Sequence, residues 1–135
     1  MLKIVAHAQD DNNSFCCISD QEMSRIARAE VSLEVMSRER GVERVMSNES
    51  FDLLVVDFYS GRYSPDIVTL CREKHPNAKV VMHNEPGCHR GEESKYDAIV
   101  SVYNHKDVVS ALDTILRKTG LMTDFLTKAM GWKSP

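Results

Sequence analysis

Phe51-Asp52-Leu53-Leu54-Val55-Val56-Asp57 is the stretch on which the fold turns. Four consecutive aliphatic residues without polar alternation need cover on both faces, the setting of a central strand in a parallel sheet flanked by helices. The run ends in an acid and passes at once into Phe58-Tyr59-Ser60-Gly61-Arg62, which reads as a turn. A carboxylate at the end of a buried strand is costly unless it faces a crevice. In open α/β sheets the crevice at the carboxyl ends of the strands is where ligands and chemistry sit. Asp57 is therefore the first residue to question. The plain alternative is an acid solvated at the strand end or satisfied by backbone amides.

Working outward, strands and helices alternate. Leu2 to Ala8 reads as a first strand, followed by the polar run Gln9-Asp10-Asp11-Asn12-Asn13-Ser14. Phe15, Ser19, Met23, Ile26 and Ala27 fall at helical spacing, and the helix start is open between a cap at Asn13 or Ser14 and the capping box Ser19-Asp20-Gln21-Glu22. Val31 to Met36 alternates with period two, as expected of a half-exposed edge strand. Gly41 to Ser47 reads as a short helix with Val42, Val45 and Met46 on one face. Beyond Asp57, Ser64-Pro65-Asp66 opens a third helix, with serine as the cap and proline in the first turn. Ile67, Leu70 and Cys71 point inward, and His75-Pro76-Asn77 ends it. Ala78 to His83 is a fourth strand and Ala98 to Val102 a fifth. Between them the Gly- and Pro-rich stretch from Asn84 to Lys95 allows only a short or distorted helix. Lys106 to Lys118 closes the pattern as a helix burying Val108, Val109, Leu112, Ile115 and Leu116.

This (βα)5 pattern requires right-handed crossovers and a parallel sheet, for which the flavodoxin-like order 2-1-3-4-5 suits five strands. That order brings Asp10 or Asp11, Asp57, and His83 or Asn84 to one end of the sheet. A chain of 135 residues supports one such domain, here residues 1–119, with 120–135 as an extension. The net charge of -3, with scattered cations, excludes a nucleic-acid stripe, and no apolar run reaches membrane-spanning length. A cytoplasmic location is the expectation. Cys16, Cys17, Cys71 and Cys88 form no CxxC pair and read as reduced thiols, mostly core filler.

With these elements in place, residues 2 to 118 resemble a response-regulator receiver domain of the CheY-like family, most closely from Val31 to Asp57. The resemblance implies that Asp57 is the phosphoacceptor, with Asp10 and Asp11 joining it to hold Mg2+. Phosphoryl transfer needs a carboxylate nucleophile and a hard, oxygen-ligated cation to neutralise the incoming charge. The chain departs from the family elsewhere. Where the family has Ser or Thr after the fourth strand, this sequence has Met82-His83-Asn84. Where it has Lys, usually before Pro, after the fifth, this sequence has Ser101-Val102-Tyr103-Asn104, and Lys106 comes several residues late. Asp10 and Asp11 stand farther from Asp57 than the family's acids, leaving Ala8 and Gln9 nearer those positions. Gly61-Arg62 replaces a Met-Pro pair, and the segment between the fourth and fifth strands is short. His83, Asn84, Val102 and Tyr103 thus mark switch positions without the family's residues.

Two further sets of residues stand out. His7, His83 and His105 each fall at or just past a strand end and could, with Asp57, form a transition-metal or pH-responsive site. The plain alternative is ordinary exposed histidines. After Gly120, Leu121, Met122, Phe125, Leu126, Ala129, Met130 and Trp132 share a helical face. Either that helix folds back on its own domain, or it is a face for a partner or a homodimer. The expected function is a receiver-like, non-enzymatic signalling module acting through protein contacts, with little or no dependence on phosphate and no required cofactor. Its partner would be a histidine kinase or a downstream signalling protein. The alternatives are a phosphorylatable receiver using Asp57 and Mg2+, and a small flavodoxin-like enzyme or ligand-binding domain. No Gly-rich phosphate loop follows the first strand to support the last.

Overall fold

The computed structural model describes residues 1–7, 15, 17–57, 66–84, 93–101 and 107–132. Five parallel strands, β1 (Leu2–His7), β2 (Val31–Met36), β3 (Leu53–Val56), β4 (Lys79–Asn84) and β5 (Ala98–Ser101), form one sheet in the order β2-β1-β3-β4-β5. Around it lie α1 (Asp20–Arg28), α2 (Arg38–Met46), α3 (Ile67–Lys74), α4 (Val108–Thr119) and α5 (Phe125–Met130), with a short 3-10 turn over Glu93–Lys95. The expected order is the observed one, and β2 is the expected edge strand. No helix among the described residues is long and apolar enough to cross a membrane.

The aliphatic run of β3 is buried at all four positions because each successive side chain enters a different core. Leu53 and Val55 point with Ile4, Ala6, Val81 and Val100 toward Ile26 of α1, Leu112 and Ile115 of α4, and Phe125 and Ala129 of α5. Leu54 and Val56 point with Val5, Val80 and Met82 toward Val45 of α2 and Ile67, Val68 and Cys71 of α3. Two cores on one sheet explain why the central strands show no polar alternation.

Helix α1 resolves the ambiguity of its start in favour of the capping box. Ser19 Oγ accepts from the Glu22 amide and Glu22 Oε1 from the Ser19 amide, both at 3.1 Å. With the helix starting at Asp20, its inward face carries Ile26 and Ala29, whereas Met23 and Ala27 turn outward and Phe15 lies before the helix. The other oxygen of Glu22 accepts from the Val108 amide at 3.0 Å, so one carboxylate caps two helices. Helix α3 also starts later than expected. Its cap is Asp66, whose Oδ1 accepts from the Val68 amide at 3.0 Å, and Ser64 and Pro65 lie outside the described residues.

The C-terminal stripe turns inward. Gly120 takes the left-handed conformation at φ 71°, and the amides of Leu121 and Met122 both donate to the Leu116 carbonyl, reversing the chain. Helix α5 then lies against α1 and α4. Phe125 and Ala129 are fully buried, and Leu121, Met122 and Leu126 pack around the same core. Of the two readings the sequence left open, these contacts favour the helix folded back on its own domain: Phe125 and Ala129 complete the α1/α4 core. Met130 is half-buried, and Trp132 stays exposed at the end. Residues 120–132 share one core with the domain from which the sequence set them apart.

Candidate functional site

The parallel register places the strand ends side by side. His7 of β1 is level with Val56 of β3, and Val56 with Met82 of β4, so Asp57 and His83 follow as lateral neighbours. Both are buried, at 1% and 0% exposure. Strand alternation sends them to the same side of the sheet, since Val56 and Met82 occupy the α2/α3 core. The surroundings of His83 agree: the Phe15 ring, part of the α1/α4 core, meets its imidazole edge-on at 5.4 Å and 89°. Asp57 is the only carboxylate at the carboxyl ends of the strands among the described residues.

His7 goes the other way. Ala6 points into the α1/α4 core, so His7 faces α2, where its ring fills the space beside Gly41. His7 and His83 are therefore not ordinary exposed residues, and they lie on opposite faces of the sheet. His105 lies outside the described residues, and among those described no three His, Cys, Asp or Glu side chains gather around a possible metal position. Asp10, Asp11, Val102 and Tyr103 also lie outside the described residues. Asn84 closes β4 level with Ser101 of β5.

The cysteines divide. Cys71 is core filler as expected, and burial pushes its thiol from the ordinary 9.0 to about 11, opposed by Arg72 and reinforced by Asp97. Cys17 is exposed, against the expectation of core filler, because it precedes the capping box instead of riding on a helix.

Sequence reading missed the buried arginine. Arg44 of α2 donates to Glu34 of β2 at 2.8 Å, to the Ser47 hydroxyl at 3.1 Å and to the carbonyl of Glu49 at 2.6 Å, and its guanidinium lies 5.3 Å from the centre of the Phe51 ring. Its only signal was an i, i+10 pairing with Glu34, too remote for local rules. Arg44 stands at the opposite edge from Asp57. There a groove of about 400 Å3 is lined by Asn48, Ser50, Phe51, Lys74, His75 and Asn77.

No family model and no curated protein matches the chain. Solved structures do. An atypical orphan response regulator, described as revealing a phosphorylation-independent regulatory mechanism, aligns with a TM-score of 0.53 at 14% identity, covering 90% of this chain and 98% of that one. The complex of histidine kinase ThkA with response regulator TrrA gives a TM-score of 0.53 at 14% identity, covering 86% of this chain and 99% of the matched one. The chain has the flavodoxin-like, CheY-like fold. The carboxyl ends of β1, β3 and β4 lie side by side at one edge of the sheet, which carries His7, Asp57 and His83.

Proposed function

We propose that this chain is a receiver-like signalling module that acts by binding a protein partner, a histidine kinase or a downstream signalling protein, and does not depend on phosphate at Asp57. The observation that carries this reading is the position of His83 beside Asp57 at the end of the neighbouring strand. A buried imidazole against Phe15 occupies the place beside the acceptor where a small hydroxyl would report a phosphoryl group. Asp57 is itself almost wholly withdrawn from solvent. The resemblance to an atypical response regulator described as phosphorylation-independent is consistent with this.

Mg2+ would require several oxygen ligands. On the face that Asp57 occupies, the described strand ends add only the imidazole of His83, and one carboxylate with one imidazole fits a hard cation poorly. Asp57 could contribute one ligand, and Asp10 and Asp11 are the remaining candidates in the sequence. We assign the module no catalytic role and no required cofactor.

The test is partner capture with the unmodified chain and with Asp57→Asn, each with and without Mg2+ and beryllofluoride. Equal capture in all four conditions is the expected result. An Asp57-dependent gain with beryllofluoride would replace this reading with the phosphorylatable receiver.

A further inference from the structure

Asp57 and His83 end neighbouring strands, and from each the chain enters a connection that finishes beside α3. The first reaches Asp66, the cap of α3, and the second reaches the 3-10 turn Glu93–Lys95 and Asp97. Charged side chains join these two far ends. Lys95 Nζ lies 3.1 Å from Asp66 Oδ2, and Arg72 Nη1 lies 3.2 Å from Asp97 Oδ2. Arg72 also donates through Nη2 to the Lys95 carbonyl at 3.0 Å. Asp97 is anchored in turn, accepting from the Val80 amide through Oδ2 at 2.8 Å and donating its own amide to the Val80 carbonyl. Tyr96, between the two charged residues, is buried in the α2/α3 core.

We propose that Asp66, Lys95, Arg72 and Asp97 form a charge strap that holds the connection before β5 against α3 and sets that surface independently of Asp57. The inference deepens the proposed function and rests on it: a module that binds without phosphate needs its contact surface fixed by other means. The strap's four side chains are each about one-third exposed, at 28% to 38%. Salt and the charges of a partner can therefore reach them, whereas Asp57 is shut away. Control of this surface passes from the strand-end acid to surface electrostatics. Each ion pair alone is weak at such exposure. Their combined effect comes from closing two connections onto one helix with a backbone-anchored acid at the end.

Amide hydrogen exchange on the full chain tests this. In the unmodified protein, raising salt from about 0.05 M to about 1 M should speed exchange of the amides in residues 94–97 by roughly three- to tenfold, because pairs open to solvent on one side are screened. The β1 and β3 amides should not change. Lys95→Met with Arg72→Met, which keeps the aliphatic stems, should give the same acceleration at low salt and remove the salt dependence. Asp57→Asn should leave residues 94–97 unchanged. Exchange indifferent both to salt and to the double variant would overturn the strap, even where partner capture remained independent of Asp57. Acceleration by Asp57→Asn comparable to that of the double variant would overturn its independence from the site.

Discussion

The Cδ2 edge of His7 fills the space that a side chain on Gly41 would need: a Cβ there would overlap that edge and stand 2.8 Å from Nε2. Helix propensity alone favours alanine over glycine by about 1 kcal/mol. Overpacking of a buried contact typically costs about 1–3 kcal/mol, and the overlap here is severe. Gly41→Ala should therefore destabilise the protein, read as a lower urea midpoint. In a His7→Ala background the same change should become neutral or stabilising. Additive effects of the two substitutions would disprove the contact.

Arg44 satisfies Glu34, the Ser47 hydroxyl and the Glu49 carbonyl from a side chain that is itself buried. Arg44→Met leaves these acceptors without their donor. Breaking a buried pair usually costs 3–5 kcal/mol, and the one-third exposure of Glu34 lets water recover part of that. A loss of about 2–3 kcal/mol in chemical denaturation is expected. Glu34→Gln, which keeps an acceptor, should cost less than half as much.

Phe125 and Trp132 lie seven residues apart but differ in role. Phe125 is fully buried between α1 and α4, whereas Trp132 is 58% exposed. Phe125→Ala should lower stability by about 3–5 kcal/mol, and Trp132→Ala by less than about 0.5 kcal/mol. Thermal unfolding of the two variants checks this. The opposite ranking would restore the reading of the segment as a face for a partner.

The raised Cys71 thiol has two consequences. In a Cys16→Ser, Cys88→Ser background at neutral pH, a thiol reagent should label Cys17 rapidly and Cys71 only on unfolding. Between pH 9 and about 11 the unfolded chain releases the Cys71 proton while the folded chain keeps it. This contribution to stability is thus complete below pH 9 and lost as pH rises to about 11. Cys71→Ala should remove that part of the alkaline decline.

The sheet order, the edge strand and the burial of α4 were legible because each depends on local periodicity. The run Leu53 to Val56 announces a strand with two covered faces, and Val108 to Leu116 repeats at helical spacing. Helix starts were less legible because more than one residue could cap: Ser19 prevailed over Asn13 and Ser14, and Asp66 over Ser64. The apolar stripe from Leu121 to Trp132 was visible, but periodicity says only that a face is buried, not against what. The site was half legible. Its location followed from strand order, whereas the split of His7 and His83 to opposite faces depends on a strand register that single residues do not reveal. Arg44 and the strap residues pair over ten or more positions, beyond any local rule.

Glu22 of the first helix reaches the start of α4, accepting from the Val108 amide 86 residues away in sequence. The last long helix therefore takes one of its end contacts from the first, whose own capping box can form at once. The opening and closing parts of the chain should mature together in folding, with the late arrival of α4 as the event that seals both. Synthesis from the N-terminus would set the Glu22 carboxylate in place well before the Val108 amide that donates to it.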